Sequence, residues 1–69
     1  MEALKLSAPW NQVKEWLKEV EISITDEDLD YDPKEPAALL DHLAKKLGRT
    51  PDAVRAWIES VSYNRGIAG

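Results

Sequence analysis

Residues 43–58, with the sequence LAKKLGRTPDAVRAWI, contain two amphipathic helix patterns and the turn between them. Gly48 stands where a glycine typically ends a helix, and Thr50 followed by Pro51 is typical of a helix start. Apolar residues recur at helical spacing on both sides of this turn. They are Leu39, Leu40, Leu43, Ala44 and Leu47 before it, and Ala53, Val54, Trp57, Ile58 and Val61 after it. The sequence therefore predicts two packed helices, with Trp57 largely buried against Leu43 and Leu47.

An earlier helix is predicted to begin after Ser7, which is a good N-cap residue, with Pro9 in the first turn. Its apolar stripe consists of Trp10, Val13, Leu17 and Val20, with Trp16 beside it and partly exposed. The leucine-rich helix that ends at Gly48 is expected to start near Pro33 or Pro36, because each proline disfavours helical backbone in the residue before it.

Between these helices we expect a single helical turn. Thr25, followed by Asp28 three residues later, resembles a capping box, and Leu29 and Tyr31 are expected to point inward. The fold class is therefore all-α, with three helices and one short helical turn. We expect the last two helices to pack in a helix-turn-helix-like hairpin. Residues 1–69 form one domain, with residues 1–6 and 63–69 frayed and the loss of helix beginning at Ser62.

Composition narrows the classes of function. The chain has 69 residues, a formal net charge of −4 and no cysteine, which excludes disulfides, thiolate zinc sites and a thiol nucleophile. No apolar run approaches the ~18 residues of a membrane span, and the first residues lack a signal-peptide pattern. We therefore expect a cytoplasmic protein with no membrane association. Residues 1–40 carry a net charge of −6, whereas residues 41–69 carry +2.

Residues 43–58 also match the spacing of a helix-turn-helix motif, with a small residue at Ala44, a turn glycine at Gly48 and an apolar residue at Val54. Duplex DNA binding needs basic side chains on the second helix. That helix has Arg55 opposed by acids, and Arg49 lies in the turn before it. Specific binding of nucleic acid is therefore not expected, although a small DNA-associated protein remains an alternative.

The acidic segment, residues 26–32, is the second candidate site. Its carboxylates are Asp26, Glu27, Asp28, Asp30 and Asp32. The spacing partly fits a calcium loop, but such a loop needs a glycine where Tyr31 stands and a closing glutamate where Ala37 stands. We therefore predict helix capping and solvation, with no metal site. Docking of a basic partner protein through residues 26–35 is the alternative.

No enzyme chemistry is indicated. His42 is the only histidine and is expected on the solvent face of its helix, where it has no second histidine or cysteine as a partner. Trp10 and Trp57 fall on apolar stripes and are expected to pack in the core. The sequence thus predicts a non-enzymatic domain without a cofactor, catalytic residue or metal ligand.

The order of these features resembles the CsbD-like family of small bacterial general stress proteins, from about Trp10 to Trp57. The resemblance rests on Trp10, Lys14 and Leu17, then on the stretch TDEDL at residues 25–29. It continues through Leu39, Leu43, Leu47, Gly48, Val54 and Trp57. The family's lysine- and glycine-rich rhythm in the first helix is missing here.

This resemblance implies a small helical cytoplasmic protein whose abundance rises under stress. It also implies a fold of two packed helical hairpins of the SAM-like kind. It implies no catalytic residue, because the family has no defined activity. A monomer with a protective or adaptor-like role, and an unidentified protein partner, is therefore the expected function.

Overall fold

The computed structural model describes residues 4–32 and 35–68. It contains α1 (Trp10–Val20), a single 3-10 turn (Glu27–Leu29), α2 (Pro36–Leu47) and α3 (Pro51–Ala68). Over these residues there is no strand, so the predicted all-α class is confirmed. Of the two predicted starts of the leucine-rich helix, Pro36 is the observed one, whereas Pro33 lies outside the described residues. The predicted fraying of residues 1–3 and 69 also lies outside them.

The turn between α2 and α3 forms as its residue types predict. Gly48 adopts the left-handed conformation with a φ of 67°, and the Arg49 backbone N–H donates to the Ala44 carbonyl at 2.9 Å. The Thr50 hydroxyl then accepts the Ala53 N–H at 3.1 Å. These bonds satisfy polar groups that the ends of helices leave free. The turn therefore places α3 directly against α2.

The start of α1 differs from the prediction. Pro9, and not Ser7, is the cap residue, and its carbonyl accepts the Gln12 and Val13 N–H groups at 2.9 and 3.0 Å. Ser7 lies two residues before Pro9, and its side chain and backbone bond to Ser62 on α3. The Ser7 cap prediction is therefore wrong, and α1 starts without a side-chain cap.

The core lies where α3 packs against both α1 and α2, while the 3-10 turn packs against α2. Its buried members include Val13, Leu17, Ile24, Leu29, Leu39, Leu40, Leu43, Ala44, Val54 and Ile58. Burial of apolar area on this scale is the dominant favourable contribution to folding. Every apolar stripe predicted from helical spacing contributes residues to this core.

Four predicted core positions lie at the edge. Val20, at the end of α1, is 47% exposed because the helix stops there and the chain turns away. Ala53, in the first turn of α3, is exposed, and Leu47 is only partly buried. Trp57 is partly buried and packs against the core, so the prediction that it packs inward holds, although it is not among the fully buried residues.

The two ends of the described chain are more ordered than we expected. Leu4 is a core residue with 8% exposure, and Leu6 packs against the core. At the other end, α3 continues through residue 62 as far as Ala68, and Ser62 is fully buried. Residues 5 and 7 bond to Glu59 and Ser62 on α3, which accounts for the burial of Ser62.

Across the described residues, none of the helices combines the length and the apolar character that a membrane crossing requires.

Candidate interaction site

Asp28 connects the acidic segment to α2. Its carboxylate accepts a hydrogen bond from His42 Nε2 at 2.7 Å and an ion-paired hydrogen bond from Lys46 Nζ. The Asp28 side chain is only 12% exposed, so it is a nearly buried charge with two partners on one helix. His42 and Lys46 are four residues apart and therefore project from the same face of α2.

The same carboxylate caps the 3-10 turn. Asp28 Oδ2 accepts the Thr25 backbone N–H at 2.9 Å and the Thr25 hydroxyl at 3.1 Å. In return the Asp28 N–H donates to Thr25 Oγ1 at 3.4 Å. This reciprocal arrangement is the predicted capping box, closed by aspartate. Hydrogen bonds from His42, Lys46 and Thr25 hold the pKa of Asp28 well below its usual range.

Asp26 pairs with a different helix. Lys18 Nζ on α1 donates to Asp26 Oδ1 at 2.5 Å. This contact lowers the pKa of the Asp26 carboxyl and raises the pKa of Lys18. Because the Asp26 side chain is 80% exposed, solvent screening keeps the pair weak. The acidic segment is thus tied to α1 by Asp26 and to α2 by Asp28.

The other predicted carboxylates of the segment, Glu27, Asp30 and Asp32, are exposed. Asp32 accepts the Glu35 N–H through its backbone carbonyl at 3.0 Å. Among the described residues, no three acidic, histidine or cysteine side chains are grouped so that they could hold a metal ion. The segment therefore includes Asp26 and Asp28, which pair inside the chain, and exposed carboxylates beside them.

His42 has a role that its sequence position did not indicate. Its side chain is 41% exposed, and besides the bond to Asp28 its ring lies 6.0 Å from the Tyr31 ring. The prediction that His42 faces solvent without a partner is therefore incomplete, because His42 holds the acidic segment against α2. The sequence signal that could have indicated this is the i, i+4 spacing of His42 and Lys46, which follows an acidic turn.

Of the two predicted basic site residues, Arg49 lies in the turn between α2 and α3, and Arg55 lies on α3. The Arg49 guanidinium lies 5.8 Å from the centre of the Trp57 ring, which is cation–π distance. Arg55 is half-buried on α3. Arg49 is therefore turned toward the indole of its own chain, and the structure does not bring it together with the acidic segment.

The helix-turn-helix positions are occupied as that motif requires. Ala44 and Val54 are buried at the contact of the two helices, and Gly48 has a positive φ. These features are also sufficient to pack any two short helices. Because Asp52 and Glu59 lie on α3 with Arg55, the second helix does not offer the basic face that phosphate contacts need.

The sequence does not predict the hydrogen-bonded pair formed by Ser7, which precedes α1, and Ser62 on α3. The Ser7 N–H donates to Ser62 Oγ at 2.7 Å, and the Ser7 hydroxyl donates to the Ser62 carbonyl at 2.6 Å. No local signal in the sequence connects positions so far apart. The only indication is that a serine falls one turn after Ile58 on the buried face of α3.

Comparison of the chain with family models, with curated proteins and with solved structures gives no match.

Proposed function

We propose that this chain is a non-enzymatic, stress-associated bacterial protein of the CsbD-like kind, with a protective or adaptor-like role. The supporting observation is that the residues of the resemblance form one connected unit. Leu17, Leu29, Leu43 and Val54 are all fully buried, and Thr25 and Asp28 form the cap that precedes Leu29. The resemblance thus includes core residues from α1, the 3-10 turn, α2 and α3, which supports the proposal.

In this proposal the protein is a cytoplasmic monomer whose partner is another protein. The acidic segment is a poor candidate for the main docking surface, because Asp26 and Asp28 are already paired inside the chain. Binding of a basic partner there would have to compete with Lys18, Lys46 and His42. Glu27 and Asp30, which are exposed, add only a small area of negative charge.

This proposal is tested by measuring the abundance of the protein in its native cells and by identifying the proteins that bind it there. We expect the protein to rise severalfold after osmotic, heat or oxidant stress. A pulldown with the tagged wild-type chain should recover the same partner from stressed cells in repeated experiments. A variant with Leu43→Asp, which disrupts the core, is the matched control and should recover nothing specific. Constant abundance in every stress would contradict the proposal.

A DNA-associated role is the second candidate, favoured only by the packing of Ala44, Gly48 and Val54. Specific duplex binding proteins usually bind at about 10⁻⁸–10⁻¹¹ M in physiological salt. We expect no sequence-selective binding at sub-micromolar protein in an electrophoretic mobility assay. Selective, salt-sensitive binding that is lost in both Arg49→Ala and Arg55→Ala would favour this second function instead.

A further inference from the structure

An open groove lies at the turn between α2 and α3, here called the turn groove. Its volume is about 350 Å³ and its surface is mainly apolar. Sites that bind small ligands or side chains in proteins usually have volumes of ~300–1,000 Å³. A Cβ atom placed on Gly48 would meet no atom within 4 Å, so the groove is open to solvent there. Its lining residues are Asp41, Ala44, Lys45, Gly48, Arg49 and Pro51.

Two cations of the turn groove have no acidic partner. Lys45 and Arg49 are exposed, and neither side chain makes an ion pair with any residue that the structure describes. By contrast, Lys18, Lys46 and Arg65 each pair with a carboxylate of their own chain. The dipole of α2 favours cations near its end, which explains their sign but not the apolar groove beside them. In a chain with a net charge of −4, the turn groove therefore presents positive charge that is open to a partner.

Trp57 positions the Arg49 side chain beside the groove. The guanidinium lies over the indole, 5.8 Å from the ring centre. This contact uses the charge of the guanidinium, whose N–H groups have no hydrogen-bond acceptor within residues 4–32 and 35–68. A guanidinium carries five N–H donors in a planar fork that matches the two oxygens of a carboxylate. Because the ring already restrains this side chain, less conformational entropy is lost when a carboxylate binds it.

We propose that the turn groove is a docking site for a short acidic stretch of a partner protein. A carboxylate of that stretch binds Arg49 and Lys45. An apolar side chain next to it packs over Ala44 and Pro51. Asp41 lies one helical turn before Lys45, ~6 Å along the axis, and repels a second carboxylate at that end of the groove. This inference rests on the proposed adaptor-like role and adds the surface and the class of partner.

The charges around the turn groove favour a protein partner over nucleic acid. A DNA backbone carries a negative charge at every phosphate, and tight binding needs several cations along it. The turn groove offers two cations, with Asp41 in its lining and Asp52 exposed in the first turn of α3. Its apolar surface also suits an apolar side chain better than a sugar–phosphate chain. The occupant that fits is therefore a carboxylate beside an apolar residue.

Fluorescence anisotropy with the full-length chain tests this docking site. The probe is the peptide Gly-Leu-Leu-Glu-Glu, amidated at its C-terminus and labelled at its N-terminus with an uncharged fluorophore. We expect saturable binding that weakens at least about tenfold in Arg49→Gln, because charge-assisted hydrogen bonds to a carboxylate are strong. The matched control, Lys14→Gln, removes one positive charge from α1 and should bind the peptide as the wild type does. Equal affinities for wild type and Arg49→Gln, or no binding at ~1 mM protein, would overturn the proposal.

Two altered peptides test the chemistry of the occupant. Gly-Leu-Leu-Gln-Gln lacks the charge, and Gly-Ser-Ser-Glu-Glu lacks the apolar side chains, so both should bind more weakly than the first peptide. If the glutamine peptide binds as tightly as the glutamate peptide, the groove does not recognise a carboxylate and the proposal fails. Displacement of the bound peptide by an equimolar DNA duplex would assign the groove to nucleic acid instead.

Nuclear magnetic resonance locates the bound peptide on isotope-labelled wild-type protein. We expect shifts in the amide signals of Lys45 and Arg49 and in the indole N–H of Trp57, with the amide signal of Asp28 unchanged. Shifts that leave these three signals in place would overturn the turn groove as the site. Constant abundance in stress would overturn the proposed function while leaving the peptide binding intact.

Discussion

The His42 ring donates a 2.7 Å hydrogen bond to a carboxylate fourteen residues earlier, on Asp28, and this contact joins the acidic segment to α2. Lys46 approaches the other oxygen of the same carboxylate. The segment between α1 and α2 also places Ile24 and Leu29 in the core, with 3% and 0% exposure. One nearly buried carboxylate therefore secures a connection that covers part of the core.

Asp28→Asn should destabilise the protein. The substitution keeps the size of the side chain but removes the charge that His42 and Lys46 pair with. Hydrogen bonds to a charged group contribute about 1.5–3 kcal/mol, and partial exposure of the partners reduces this, so we expect a loss of about 2 kcal/mol. Urea denaturation followed by circular dichroism measures it.

The matched control is Asp30→Asn, which removes one charge of the same sign from an exposed position two residues away. Surface substitutions of this kind usually change stability by less than about 0.5 kcal/mol. Equal losses of stability in Asp28→Asn and Asp30→Asn would show that the hydrogen bonds of Asp28 contribute nothing to stability beyond the effect of one negative charge.

The network also predicts a pH dependence. The folded-state pKa of Asp28 is lower than its ordinary value of 3.8, so the network's stabilisation is fully present above that value. It is lost as pH falls below 3.8, because protonation then favours the unfolded chain. The wild type should therefore lose more stability between pH 5 and about pH 2 than Asp28→Asn does.

Thermal unfolding monitored at a series of pH values tests this dependence. Asp26, whose pKa is also lowered, contributes to the acid loss in both proteins and cancels in the comparison. Parallel curves for wild type and Asp28→Asn over this range would contradict the assignment of the acid-sensitive group to Asp28.

Much of the fold follows from sequence because local signals determine it. The turn at Gly48, the Thr50 cap and the Thr25–Asp28 cap depend on residues within a few positions of each other. The leucine spacing of α2 likewise places its buried face. These features could be predicted because backbone geometry and helix periodicity act over short separations.

The candidate site could not be predicted in the same way. The bond between His42 and Asp28 depends on how the 3-10 turn packs on α2, and the bonds between Ser7 and Ser62 join residues fifty-five positions apart. A serine two residues before a proline fits the pattern of a helix cap equally well, so the sequence predicts that role for Ser7. Tertiary packing decides whether Ser7 caps α1 or bonds to Ser62.

Trp57 and Arg49 should show a small but measurable coupling. Because Trp57 is half-buried, Trp57→Ala should cost about 2 kcal/mol, below the 3–5 kcal/mol of a fully buried tryptophan. Arg49→Ala should cost about 0.5 kcal/mol, and a double-mutant cycle should give a coupling of about 0.5 kcal/mol. Chemical denaturation of the four proteins measures these values.

Lys45→Ala is the control for that cycle, since Lys45 is exposed on α2 and its removal also lowers the positive charge by one. It should show no coupling to Trp57→Ala. If Arg49→Ala and Trp57→Ala are strictly additive, the guanidinium contributes nothing through the ring and is available to an outside ligand.

Thr25→Ala tests whether the acidic segment serves as a cap or as a cation site. The threonine hydroxyl donates to Asp28 and also accepts the Asp28 N–H, and loss of such a cap typically costs about 0.5–2 kcal/mol. We therefore expect a lower melting temperature in Thr25→Ala, with Ser23→Ala, which lacks a cap contact, nearly unchanged.

Millimolar calcium should leave the wild-type melting temperature unchanged. A cation that bound the folded chain would raise it by mass action. A saturable rise with calcium, abolished in Asp28→Asn, would replace the capping role with metal binding.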